Sequence, residues 1–69
     1  MRTPIEQFQS ALDTHRLTND LPHEVVSRAV KYGEEQFLEL IQGAAGDQAE
    51  MYNLAGMILE EMNISIVTA

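Results

Sequence analysis

The groups in this sequence that can move a proton or hold a metal are few and scattered. His15 and His23 are the only imidazoles, eight residues apart, and there is no Cys. That spacing fits no metal-ligand pattern, and without Cys both disulfides and thiolate sites are excluded. No metal and no cofactor are therefore expected. His23 beside Glu24 has the elements of an acid–base pair. It also sits at a helix start, where His and Glu commonly serve as surface or capping residues. His15 lies on an apolar helical stripe, which favours a partly buried packing role over a ligand role. Ser10, Ser27 and Ser65 stand in no nucleophile motif, and the chain has no Gly-rich phosphate loop, HExxH, GxSxG or EF-hand loop. The chain reads as a non-enzyme.

The remaining chemistry is charge, and it is unevenly placed. Arg2, Arg16, Arg28 and Lys31 are the only cations, and up to Lys31 they balance Glu6, Asp13, Asp20 and Glu24. From Tyr32 onward come Glu34, Glu35, Glu39, Asp47, Glu50, Glu60 and Glu61 with no Lys or Arg, so the net charge of −7 belongs to the C-terminal half. A surface of one sign attracts surfaces of the other sign and repels its own kind. This favours a basic protein partner and argues against direct binding to nucleic acid. Acidity that serves only solubility is the plainer alternative.

Sixty-nine residues make a single domain, 1–69, with a small core. A hydrophobic content of 45% is normal for a globular chain and too high for intrinsic disorder. Domains this small often add disulfides, a metal or a second subunit. With the first two excluded, a homodimer is expected. The opening MRTPIEQFQS has no signal-peptide character, and no apolar run approaches the roughly 18 residues needed to span a bilayer. The expected location is the cytoplasm, that of the host if the protein is phage-encoded, with no membrane contact.

An all-α fold must position these groups. Thr3-Pro4-Ile5-Glu6 is a capping box with Pro at the first helical position. It predicts a short helix over about 4–16, with Ile5, Phe8, Leu12 and His15 on one face. Thr18, Asn19 and Asp20 then favour a turn. A second helix is predicted over about 22–42, with Val26, Ala29, Val30, Gly33, Phe37, Leu40 and Ile41 on one stripe. Gly43-Ala44-Ala45-Gly46 ends it, and Asp47 with Glu50 opens a third helix, about 47–63. The tail Ile64-Ser65-Ile66-Val67 alternates and is β-prone.

The short GAAG link makes the second and third helices an antiparallel hairpin. Gly33 and Gly56 are equidistant from the middle of that link, so the hairpin register sets them level. Each glycine costs a helix about 1 kcal/mol relative to Ala, and close backbone approach at a crossing offsets this. The same register sets Phe37 opposite Tyr52 and Val30 opposite Leu59. On the third helix, Ala49, Tyr52, Gly56 and Leu59 are assigned to the hairpin. Met51, Leu54, Ala55, Ile58 and Met62 form a second apolar side, which needs helix one, a second subunit, or both. Gly33, Phe37, Met51, Leu54, Gly56, Ile58 and Met62 are therefore the candidate packing or dimer residues.

The polar faces supply candidate partner-binding residues. A DNA-reading helix-turn-helix is rejected, because the third helix carries Glu50, Glu60 and Glu61 and no cation. On the second helix, Glu24, Arg28, Lys31, Glu34, Glu35, Leu38 and Gln42 face away from Gly33. Leu38 stands near Glu34, Glu35 and Glu39 as an apolar anchor ringed by acids, unless helix one covers it. On the third helix, Glu50, Met57, Glu60 and Glu61 make a second acidic strip with a Met, a side chain that adapts to irregular surfaces.

In length, acidity and helical organisation, with the segments Glu34-Glu35-Gln36-Phe37-Leu38-Glu39 and Met57-Ile58-Leu59-Glu60-Glu61, the chain resembles the quorum-sensing anti-activators of Pseudomonas phages. That resemblance implies a dimer that binds a LuxR-type transcriptional activator near its basic DNA-binding domain and blocks operator binding. It also implies a second host target, the type IV pilus assembly ATPase. Anti-CRISPR proteins or DNA mimics, and small structural or assembly modules, are the alternatives.

Overall fold

The computed structural model describes residues 3–62, and every regular element among them is an α-helix. In chain order these are α1 (Pro4–Asn19), α2 (His23–Gln36), α3 (Leu38–Ala44) and α4 (Gln48–Glu61). The all-α class expected from the sequence is what the chain adopts. The β-prone tail and Asn63 lie outside the described residues.

The helix starts follow their local signals. Thr3 Oγ1 accepts from the Glu6 backbone N–H at 3.2 Å, and Glu6 Oε1 accepts from the Thr3 N–H at 3.1 Å. This closes the capping box and satisfies two donors that a helix start leaves open. At α4, Asp47 Oδ1 accepts from the Glu50 N–H at 3.0 Å. Gly46, at φ +93°, supplies the left-handed residue before it. α1 runs three residues beyond the expected end. Asn19 donates through Nδ2 to the His15 carbonyl at 3.0 Å, so its side chain bonds back along the helix instead of starting a turn. The chain turns at Asp20, which takes up φ 53° and ψ 49°.

The expected helix over 22–42 is divided. Phe37, at φ −130° and ψ 21°, separates α2 from α3. No Pro lies there, and the cause is packing. A Cβ built on Gly33 would lie 3.0 Å from Ile41 Cδ1. In a straight helix eight residues span about 12 Å, too far for that contact, so the bend is what folds Ile41 back over Gly33. The Phe37 ring then packs tilted against Tyr32, with centroids 5.6 Å apart.

α1 is the centre of the assembly. It packs most extensively on α4 and α2, while α2 and α4 touch each other least. Gln7 meets Gly46 and His15 meets Tyr52, so α1 and α4 run in the same sense. Phe8, Leu12, Ile41, Ile58 and Leu59 are the largest fully buried side chains.

This arrangement corrects the hairpin register. Gly33 does meet a close neighbour, but it is the Phe8 ring from α1, with Cε2 2.7 Å from the position of a Gly33 Cβ. Gly56 is only half-buried. Tyr52 stacks on His15 and Phe37 packs tilted against Tyr32, so Phe37 and Tyr52 do not pair with each other. The assignment of the α4 sides holds only in part: Leu59, given to the hairpin, is buried, but its companions there are not. Ala49 and Tyr52, given to the hairpin, are exposed, whereas Met51, Ala55 and Ile58 are buried. Leu54 and Met62 pack half-buried at the edge of that core. The physical reason is α1, which covers the second side and keeps α2 at a distance from α4.

Candidate protein-binding surfaces

The polar face of α2 is built on a buried stripe of Val26, Ala29 and Gly33 at three- and four-residue steps. Glu24, Arg28, Lys31, Glu34 and Glu35 consequently face solvent. Arg28 Nη2 lies 3.2 Å from Glu24 Oε1, the favourable i,i+4 orientation. Both side chains are about 70% exposed, so the pair is worth a few tenths of a kcal/mol at most. It leaves Glu24 engaged with Arg28 and gives His23 no acid–base partner there.

At the bend the surface changes character. α3 buries only Ile41 and Ala44. Leu38 is 39% exposed, so helix one does not cover it, and Leu40 is 52% exposed. The sequence stripe had placed Leu40 in the core. Once Phe37 breaks the helix, the phase of α3 is set by Ile41 and Ala44, and Leu40 falls outside. Leu38 and Leu40 thus flank the exposed Glu39, with the exposed Glu34 and Glu35 just upstream. An i,i+3 reading restricted to 38–44 would have found this, but nothing in the sequence marks Phe37 as a boundary.

On α4, Glu50, Glu60 and Glu61 are exposed and Met57 is 40% exposed. All eight candidate partner-binding residues are therefore accessible in a single chain. The candidate packing residues divide differently: Gly33, Met51 and Ile58 are buried, while Phe37, Leu54, Gly56 and Met62 are half-buried.

His15 is a packing residue. It is 6% exposed, its ring stacks on Tyr52 with centroids 3.8 Å apart, and Nε2 lies 2.8 Å from the Tyr52 carbonyl. A carbonyl only accepts, so Nε2 carries the hydrogen and donates. Nδ1 is buried without a hydrogen-bond partner. Beside this contact, α1 and the start of α4 enclose an open groove of about 670 Å³, lined by Gln7, Ser10, Thr14, Gln48, Met51 and Tyr52 among others, none of them charged. Sequence reasoning did not find this groove, because it depends on α1 lying alongside α4. Gln7 helps to set its edge by accepting from the Gly46 N–H at 2.9 Å.

Among the described residues, no group of three or more His, Asp or Glu side chains is placed to hold a metal ion. Nor, among them, is any helix long and apolar enough to cross a membrane. Comparison with known protein families, curated proteins and solved structures found no match.

Proposed function

We propose that this protein is a non-catalytic inhibitor that works by occupying a basic surface on another protein. The observation that supports this most is the single sign of its C-terminal half. Glu34, Glu35, Glu39, Asp47, Glu50, Glu60 and Glu61 are all exposed, with no cation after Lys31 to neutralise them. Such a field speeds association with a cationic surface and disfavours nucleic acid. The resemblance to phage anti-activators makes a LuxR-type regulator the first partner to test, followed by the pilus assembly ATPase. Carboxylates set on a DNA-binding surface would compete with the operator for the same cations.

The expected result is that the purified protein releases a LuxR-type regulator from operator DNA, and that a Glu34/Glu35/Glu39→Gln variant does so less well. Binding measured by surface plasmon resonance should weaken with salt, mainly through a slower on-rate. The variant should stay folded, because all three side chains are exposed and the Glu35–Glu39 repulsion is removed. If operator binding is unaffected by the protein, the regulator is not its target. If a captured partner binds both forms equally and ignores salt, the acids are only a solvated face and an assembly role moves ahead.

The homodimer is part of the same proposal, but its basis shifts. Met51 and Ile58 are already buried within one chain, so the apolar arc of α4 does not require a second subunit. Self-association would use exposed side chains away from the acidic elbow, such as Leu17, which is 70% exposed. Two chains of net charge −7 repel each other, so salt should strengthen a dimer while it weakens binding to a basic partner. Sedimentation is expected to move from the 7.7 kDa monomer toward twice that mass as salt rises. A monomer at every salt concentration, at micromolar protein, removes the dimer.

A further inference from the structure

We infer that the α2–α3 elbow is the docking surface, and that its occupant is a cationic amphipathic helix of a partner protein. This rests on the proposed function and narrows it from a basic surface to a segment with a particular pattern. Two acidic strips are available, on α2–α3 and on α4, and the apolar groups within them decide between them. The α4 strip exposes one apolar side chain, Met57. The elbow exposes two leucines on a single short helix, 39% and 52% exposed, with Glu39 between them.

The geometry of α3 specifies what fits. Leu38 and Leu40 are two residues apart, about 3 Å along the axis and about 200° around it, so they project to opposite flanks of α3. Glu39 projects between them, and Glu34 and Glu35 add negative charge on the α2 side of the bend. α3 is held to the body through Ile41 and Ala44, so most of its circumference is open. A ligand laid along either flank of α3 meets one leucine with Glu39 beside it. An amphipathic basic helix laid there sets its apolar face against the leucine and a cation from the border of that face against Glu39. A purely polybasic surface would use the carboxylates and leave both leucines in water. A second copy of this chain brings the same carboxylates and is repelled. The elbow is also preshaped: the Phe37 N–H donates to the Gly33 carbonyl at 2.8 Å, and the Ile41 N–H donates to the Phe37 carbonyl at 2.9 Å. Docking therefore requires little ordering of the backbone.

Two synthetic probes test this: an amphipathic Lys/Leu helix, and a Lys/Ser peptide of equal length and charge. Each is titrated into the isotopically labelled full chain, with binding read by fluorescence anisotropy and by amide shift changes. The Lys/Leu peptide should bind at least tenfold more tightly, with the largest shift changes over residues 34–42. Leu38→Ala/Leu40→Ala should remove most of that preference through a faster off-rate. Both leucines are exposed and lie outside the buried core, and Ala favours helix, so this variant should keep its circular dichroism spectrum. Glu50/Glu60/Glu61→Gln should change Lys/Leu binding far less than Glu34/Glu35/Glu39→Gln does. Equal binding of the two peptides, an unaffected leucine variant, or shift changes centred on α4 would each overturn the elbow while leaving a general basic partner standing. Concentration-dependent shift changes over residues 34–42 without peptide would assign the face to a second copy and overturn it too. Failure of both peptides to bind at low salt would sink the broader reading along with it.

Discussion

Ile58→Asp is expected to abolish cooperative folding of the single chain. Ile58 is fully buried, in a core formed with Phe8, Leu12, Ile41 and Leu59. Truncating an aliphatic side chain at such a site costs about 2–5 kcal/mol. An unpaired carboxylate adds several more, or forces proton uptake. Arg16, Arg28 and Lys31 are the cations among the described residues, and none lies on α4. A domain of this length has a total stability of roughly 3–10 kcal/mol at ordinary per-residue values, which the substitution consumes. The far-UV circular dichroism of the variant should lose its helical signal at neutral pH and show no sharp thermal transition. Met57→Asp, one residue away and 40% exposed, is the control and should melt close to native. The comparison also separates two roles for α4. If Ile58→Asp yields a folded monomer, the side chain lies between subunits instead of inside one. The packing of α1 on α4 predicts unfolding.

The second large effect is expected at Gly33. A Cβ there would lie 2.7 Å from Phe8 Cε2 and 3.0 Å from Phe8 Cζ. The Phe8 ring is fully buried, so it cannot swing out of the way into solvent. Gly33→Leu should destabilise by about 1–3 kcal/mol or more through overpacking. Gly33→Ala is the sharper test, since helix propensity alone would make it stabilising by about 1 kcal/mol. The close contact should reverse that sign. Gly43 supplies the reference: it is also helical, yet nothing lies within 4 Å of its missing Cβ. Gly43→Ala should therefore gain a few tenths to about 1 kcal/mol. Urea denaturation of the three variants beside the native chain reads all of this. If Gly33→Ala gains stability as Gly43→Ala does, the Phe8 contact is looser than the structure places it.

The Gly33 result bears on the elbow as well. Phe8, Gly33 and Ile41 meet at the inner side of the bend, so whatever pushes Phe8 away also disturbs the placement of α3. A Gly33→Ala chain that remains folded should therefore show amide shift changes across residues 37–44, not only around Phe8.

Where the sequence was sufficient, the signals were short in range. The Thr3–Glu6 box, Pro4 and the Asp47–Glu50 start each act within four residues, and each appears in the structure as read. The exposure of Glu34, Glu35, Leu38, Glu39, Glu50, Met57, Glu60 and Glu61 was legible for the same reason, since helical periodicity separates polar faces from apolar ones. The sequence could not place what depends on α1. Phe8 reaches Gly33 across 25 positions of chain, and that contact determines which glycine is crowded and by what. The arrival of α1 also decides which side of α4 is buried, because α4 is apolar over so much of its circumference that its own pattern fits two orientations. The bend at Phe37 follows from the same packing. No residue at that point forbids a straight helix, and burying Ile41 over Phe8 and Gly33 favours the bent one. Leu40 was assigned to the core because a 3.6-residue period was carried through a break that only tertiary contacts create. Periodicity reports a face on an uninterrupted helix; where the helix stops, and what lies against it, is decided by which distant side chains the core must enclose.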